Sequence, residues 1–179
     1  MITIAVAAVI LTLGVPSFLG LLERNQLTTN INRFISSLAL ARSEAIKRNQ
    51  RVVVCPSSDG SACSNTGGYD NGWIIFVDAN NDNSRDVANT DEELIWEGES
   101  IPNNMTLRGT SGGYNTAIPY IPSGRLAVGV SGSVRLCKDN QTDKARAITL
   151  IQSGRVRLAE LDSSGKPLIG NSAMTNCST

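Results

Sequence analysis

The sequence predicts an α+β protein in which one long helix lies across an antiparallel sheet. Three observations predict it. An uncharged apolar run from Met1 to Leu22 passes directly into a stripe of helical period, the hydrophobic period changes after Gln50, and the rest of the chain breaks into short β-prone runs. Those runs are separated by Gly, Pro, Asn, Asp or Ser, the residues that close turns between neighbouring strands.

The first run is long enough to cross a bilayer: at about 1.5 Å per residue, residues 1–22 give roughly 33 Å of helix. No basic residue precedes it and no Ala-x-Ala site ends it, so it reads as an anchor rather than a cleaved signal. Beyond it, Leu27, Ile31, Phe34, Leu38, Ala41 and Ala45 recur at steps of four and three, an apolar stripe that faces a core while Arg33, Arg42, Lys47 and Arg48 lie off it. Gly14 and Pro16 sit inside the apolar half. Proline deletes a helical hydrogen bond there, so a kink or a melted turn is expected, and the freed carbonyls need neighbouring helices as partners. The chain thus divides into a hydrophobic helix over residues 1–24, an amphipathic continuation over 25–50, and a β-rich head over 51–179. Strands are expected at 51–55, 73–78, 93–97, 105–108, 117–121, 133–137, 145–150 and 156–161, with Trp73-Ile-Ile-Phe-Val-Asp78 the clearest.

Composition narrows the chemistry. The 179 residues include no histidine, which excludes Ser-His and Cys-His nucleophiles, imidazole metal sites and a histidine pH switch. No nucleophile elbow, Walker loop or dinucleotide glycine pattern is present, so neither an enzyme nor a cofactor or metal is expected. The zero net charge hides a segregation: residues 1–58 carry +4, residues 59–99 carry −9 and residues 100–179 carry +5. Two faces of opposite sign suit docking against copies of the chain or holding a polyanion, and ordinary solvated surface is the plain alternative.

Four cysteines without Cys-x-x-Cys spacing point to two disulfides in an oxidising compartment. Three pairings are possible. We favour Cys55 with Cys63, closing a Ser/Asp/Gly loop, and Cys137 with Cys177, tying down a C-terminal segment that has little else to hold it.

Met1-Ile-Thr-Ile-Ala-Val-Ala-Ala with Gly14, Pro16 and Phe18, then Leu40-Ala-Arg-Ser-Glu-Ala-Ile-Lys47-Arg-Asn, Val54-Cys-Pro-Ser-Ser-Asp-Gly60, Gly72-Trp-Ile-Ile-Phe-Val-Asp78, Pro122-Ser-Gly-Arg and Ser153-Gly-Arg-Val-Arg157 follow one another in an order that resembles type IV minor pilins and pseudopilins of the GspH/FimT group. The resemblance covers nearly the whole chain and implies a type IV pilin-like fold. It also implies a subunit held in the inner membrane by a single pass, head in the periplasm, that is extracted into an extracellular pilus by bundling its N-terminal helix with those of other major and minor pilins. The family's basic leader and its Phe-Thr-Leu-Ile-Glu-Leu stretch have no counterpart here, so the chain reads as a mature subunit lacking its first few residues, and the acidic residue of that stretch is assigned to no position.

The sharpest candidate for chemistry is Gly154-Arg155-Val156-Arg157, where a glycine turn leads into a strand and arginines at i and i+2 share a face. Such a pair can grip successive phosphates without reading sequence. The resemblance adds that the FimT branch binds DNA in natural transformation through a Gly-Arg-x-Arg motif, which this stretch matches. Arg125, Arg135, Lys144 and Arg146 fall in the same basic third and are candidates to extend the patch. The plain alternative is ordinary ion pairs from Arg155 and Arg157 to Glu160 or Asp162; on that reading the chain is an assembly-priming minor pilin without DNA, or a GspH-like pseudopilin of a type II secretion system. Asp78–Asp86 alternates carboxylates and amides as a calcium loop does. Asn83 stands where that loop needs glycine and Asn89 where it needs glutamate, so a hairpin turn is the better reading.

Overall fold

Leu27, Ile31, Phe34, Leu38, Ala41 and Ala45 are each at most 2% exposed, so the stripe read in the sequence is the seam along which the helix joins the head. The computed structural model describes residues 2–64, 67–110, 114–127 and 131–177, with the backbone alone for residues 2–19. The helix α1 runs from Ile2 to Arg48 without interruption, so the melted turn expected at Gly14 and Pro16 is helical here. At its end Asn49 adopts a left-handed φ of 54°, its amide reaches the Ile46 carbonyl, and the Gln50 amide reaches that of Ala45. That is the paired closure of a Schellman cap, with Lys47 and Arg48 placed where the helix dipole favours positive charge. No helical stretch among the described residues is long and apolar enough to cross a membrane. Most of the run that the sequence suggests as a span lies in residues 1–19, whose side chains are outside the described residues.

Among the described residues ten strands follow: β1 (Val52–Pro56), β2 (Trp73–Val77), β3 (Leu94–Gly98), β4 (Met105–Gly109), β5 (Ile118–Tyr120), β6 (Gly132–Lys138), β7 (Gln141–Leu150), β8 (Val156–Leu158), β9 (Leu168–Ile169) and β10 (Ser172–Ala173). All pairings are antiparallel, but they build two four-stranded sheets, β3-β2-β1-β5 and β4-β6-β7-β8, rather than the single sheet expected, with β9 and β10 as a separate hairpin. The helix packs against both, touching β1, β2 and β5 of one and β6, β7 and β8 of the other. Phe34 sits at the junction, edge-on to Trp73 at 5.1 Å and beside Tyr69 at 4.9 Å. Each large apolar side chain buried in this seam contributes about 1.5–3 kcal/mol.

The two sheets differ in what covers their outer faces. In β2 every residue is buried, because Trp73 and Ile75 face the helix while Ile74 and Phe76 join Val53, Cys55 and Ala117 in a second cluster on the far side. Both faces being dry explains why the run is continuously apolar rather than alternating. In β7 the first residues are exposed or half-buried, and Ala145 and the neighbouring Cys137 are covered from outside by Met174, Cys177 and Ile169. Cys55 is bonded to Cys63 and Cys137 to Cys177. The first bond pins the loop over the outer cluster, and the second pins the tail.

Candidate nucleic-acid interface

Register decides which basic residues meet. Arg157 lies opposite Thr149, while its neighbour Val156 lies opposite Leu150 and packs on the core. Alternation then places Arg157 on the face of the sheet away from α1. Arg155 precedes the strand and is also exposed, so the pair read in the sequence does stand clear of the core. No hydrogen bond or ion pair from Arg155 or Arg157 to Glu160, Asp162 or any other side chain is found among the described residues.

The turn that presents Arg155 has a twin. In Ile151-Gln-Ser-Gly-Arg155 the Gly154 amide donates to the Ile151 carbonyl at 2.8 Å and the Ile151 amide to the Arg155 carbonyl at 3.0 Å. In Ile121-Pro-Ser-Gly-Arg125 the matching bonds are 2.8 and 2.9 Å. Both glycines sit at positive φ, 78° and 73°, the left-handed position that a three-residue hairpin loop requires. The turns lie against each other: a Cβ on Gly154 would overlap the Gly124 carbonyl oxygen, and the Leu126 amide donates to the Gln152 carbonyl at 3.1 Å. The turn carrying Arg125 is therefore brought against the one carrying Arg155, and Arg125 is exposed and likewise without a side-chain partner among the described residues. A third turn of the same pattern, Asp162-Ser-Ser-Gly-Lys166, sits next to Asp143 at the other end of β7 and does not join them.

Three of the candidate bases do not reach this patch. Lys144 lies near the start of β7 and pairs with Glu23 at 3.5 Å, alongside Lys138 at 2.9 Å. Arg146 lies opposite Leu136, on the face turned toward α1; burial lowers its pKa, and the charge of Arg24 adds to the effect. Arg135 is on the outer face but half-buried under the C-terminal tail, where it holds the Asn176 side chain at 2.7 Å and burial lowers its pKa. The sequence placed all three in one basic third; what sets them apart is engagement, Lys144 with Glu23, Arg146 turned toward α1, and Arg135, on the same outer face as Arg157, with Asn176. Two further residues were not singled out. Arg42 donates from Nε to the Gly124 carbonyl at 2.9 Å, and Arg108 is tied to Asp70 at 2.6 Å. Only the repeated Ile-x-Ser-Gly-Arg string could have pointed to the first of these.

The acidic middle of the chain folds on itself. Asp78, fully buried, pairs with Arg51 at 2.8 Å and accepts the amides of Asp82 and Asn83 at 3.2 Å. Asn81 and Asn83 take positive φ, so the stretch is a set of Asx turns. No group of three or more cysteine or carboxylate side chains among the described residues is arranged to hold a metal ion.

A long helix packed on a two-sheet antiparallel head, with disulfides pinning a loop and the tail, defines a pilin-like class of fold. The model of the family described as type II transport protein GspH matches residues 30–154, and the chain belongs to that family, the minor pilins and pseudopilins. Comparison with curated proteins finds no match. Among solved structures it is similar to the type IV minor pilin FimU of Pseudomonas aeruginosa, at 20% identity and a TM-score of 0.62, covering 84% of this chain and 98% of that one. A second crystal form of FimU gives 18% identity, a TM-score of 0.59 and coverage of 82% and 100%. The minor pseudopilin EpsH from the type II secretion system of Vibrio cholerae gives 14% identity, a TM-score of 0.50 and coverage of 75% and 94%. These likenesses establish the fold, and the family and its fold neighbours are pilins and pseudopilins rather than enzymes.

Proposed function

We propose that the chain is a minor pilin of a type IV pilus, placed at or near the filament tip, whose head holds duplex DNA by its phosphates during uptake. The observation that carries the reading is that the turns carrying Arg125 and Arg155 touch, with Arg157 two residues further on in β8, and that no carboxylate is paired to any of the three among the described residues. The turns lie beside Arg42, about 30 Å along the helix from Leu22 at 1.5 Å per residue, well away from the apolar half. Among the described residues the large exposed apolar side chains include one aromatic, Trp96, which lies on β3 at the opposite edge of its sheet from β5, so contact runs through the backbone of a duplex rather than by stacking on bases. Before assembly the subunit sits in the inner membrane with its head in the periplasm, and it joins other pilins through the apolar half of α1. Gly14 and Pro16 are where that helix yields in a crowded bundle. The two disulfides suit an oxidising periplasm.

The test is a mobility shift with the full chain in neutral detergent at two salt concentrations. Three phosphate contacts give a log–log salt slope of about −2.7, and Arg155→Gln with Arg157→Gln brings it to about −0.9. An unchanged shift removes the DNA role. The family description and the EpsH likeness favour a second reading, a GspH-like pseudopilin of a type II secretion system or an assembly-priming pilin that binds no DNA. Deleting the gene separates pilus from secretion system, by loss of pilus-dependent DNA uptake in one case and of protein secretion in the other, and the mobility shift separates a DNA-binding pilin from an assembly-priming one.

A further inference from the structure

The two Ser-Gly-Arg turns belong to different hairpins, and neither turn fixes its distance from the other. Three contacts do. The second turn presses on the first backbone to backbone, because Gly154 has no side chain to hold it off the Gly124 carbonyl. That same carbonyl accepts the Arg42 Nε–H at 2.9 Å, and Arg42 Nε lies 3.2 Å from where a Cβ on either glycine would stand. The Leu126 amide then bridges to the Gln152 carbonyl at 3.1 Å. Beneath them the space between α1 and β8 is an open groove of about 340 Å³, lined by Ile35, Ala39, Ile46 and Val156 among others, so packed side chains do not brace the second turn from below.

We propose that Arg42 is the positioning residue of this grip: its half-buried guanidinium holds the two turns as one unit, so that Arg125 from the first and Arg155 and Arg157 from the second close on the same duplex backbone. This rests on the phosphate-binding reading above. A guanidinium-to-carbonyl bond is charge-assisted and stronger than a neutral one, and fixing the spacing of several weak contacts lowers the ordering cost of binding. Arg42 acts through the turns and makes no contact with DNA.

The experiment uses the full chain in neutral detergent and a short fluorescent duplex. Arg42→Gln weakens binding about tenfold, and the further loss from Arg125→Gln shrinks to about twofold or less in that background, the non-additivity of residues that work as a unit. Arg42→Lys recovers part of the affinity. Lys47→Gln, which removes the same charge from an exposed position on the same helix, changes binding by less than about twofold, since a screened distant charge counts for little. Hydrogen exchange reads the clamp without DNA: in Arg42→Gln the Leu126 amide exchanges at least about tenfold faster while the Val54 amide in β1 is unchanged. Additive losses, an Arg42→Gln effect no larger than that of Lys47→Gln, or an unmoved Leu126 amide each overturn the proposal while leaving the DNA reading standing. A duplex shift indifferent to Arg155→Gln with Arg157→Gln overturns the DNA reading, and this proposal with it.

Discussion

The two ends of β7 carry similar positive charge and put it to opposite use. At its start Lys144 and the adjoining Lys138 share Glu23; further along, Arg146 is turned toward the helix and Arg135, opposite Ala147, is held by Asn176 under the tail. Beyond its far end, Arg155 and Arg157 stand in solvent beside Arg125, with no side-chain partner among the described residues. Charge counted along a segment is therefore not charge on a surface. Strand register and the position of one glutamate decide which bases remain available.

The strongest way to break this contrast is to loosen the engaged end. Cys137→Ser with Cys177→Ser opens a 40-residue closure, which costs about 4 kcal/mol by chain entropy and frees the tail from Arg135; Cys55→Ser with Cys63→Ser opens 8 residues and costs about 2.5 kcal/mol. Denaturant midpoints check both, and DNA affinity at the far end survives wherever the head remains folded. Next comes Gly154→Ala, which forces a Cβ into the Gly124 carbonyl at a left-handed φ of 78°. It should destabilise by about 3 kcal/mol and abolish the duplex shift as well, since it separates the turns.

Smaller effects sharpen the same comparison. Arg48 caps the helix end by bonding Glu93 and Glu44, and that hydrogen bond is the largest cause of the lowered pKa of each carboxylate. A carboxylate with a lowered folded pKa stabilises above its unfolded value of about 4.5, and the contribution fades as pH falls through the folded value. Arg48→Met therefore lowers the melting temperature at neutral pH, and the difference from the parent chain shrinks below pH 4.5. Arg157→Gln is the opposite case. With no side-chain partner to lose among the described residues, it changes stability by less than about 0.5 kcal/mol at any pH while still weakening the duplex shift.

Where side-chain period dominates, sequence reading served well. The stripe from Leu27 to Ala45 and the run Trp73–Val77 could be placed because burial there follows 3.6-residue or unbroken apolar spacing. Two sheets instead of one were not legible, because each short strand reads alike whichever partner it takes, and β9 and β10 have two residues each, too few to show any period. At the site, Arg155 and Arg157 were visible as alternating positions on a strand. Their neighbour Arg125 was one candidate among several, and Arg42 was passed over, since its role depends on a carbonyl 82 residues away. Lys144 and Arg146 misled for the same reason: which face and which end they occupy is set by pairing with β6.

The clip between Cys55 and Cys63 carries a consequence for when this subunit matures. The loop it anchors packs through Cys63 on the cluster of Val53, Ile74 and Phe76, so a head that has not yet met an oxidant leaves a greasy strip wet on the outer face of its sheet. Thiol oxidation thereby becomes a checkpoint on the way to the fibre: a chain that skips it is presented to its neighbours sticky side out, and clumping competes with orderly incorporation.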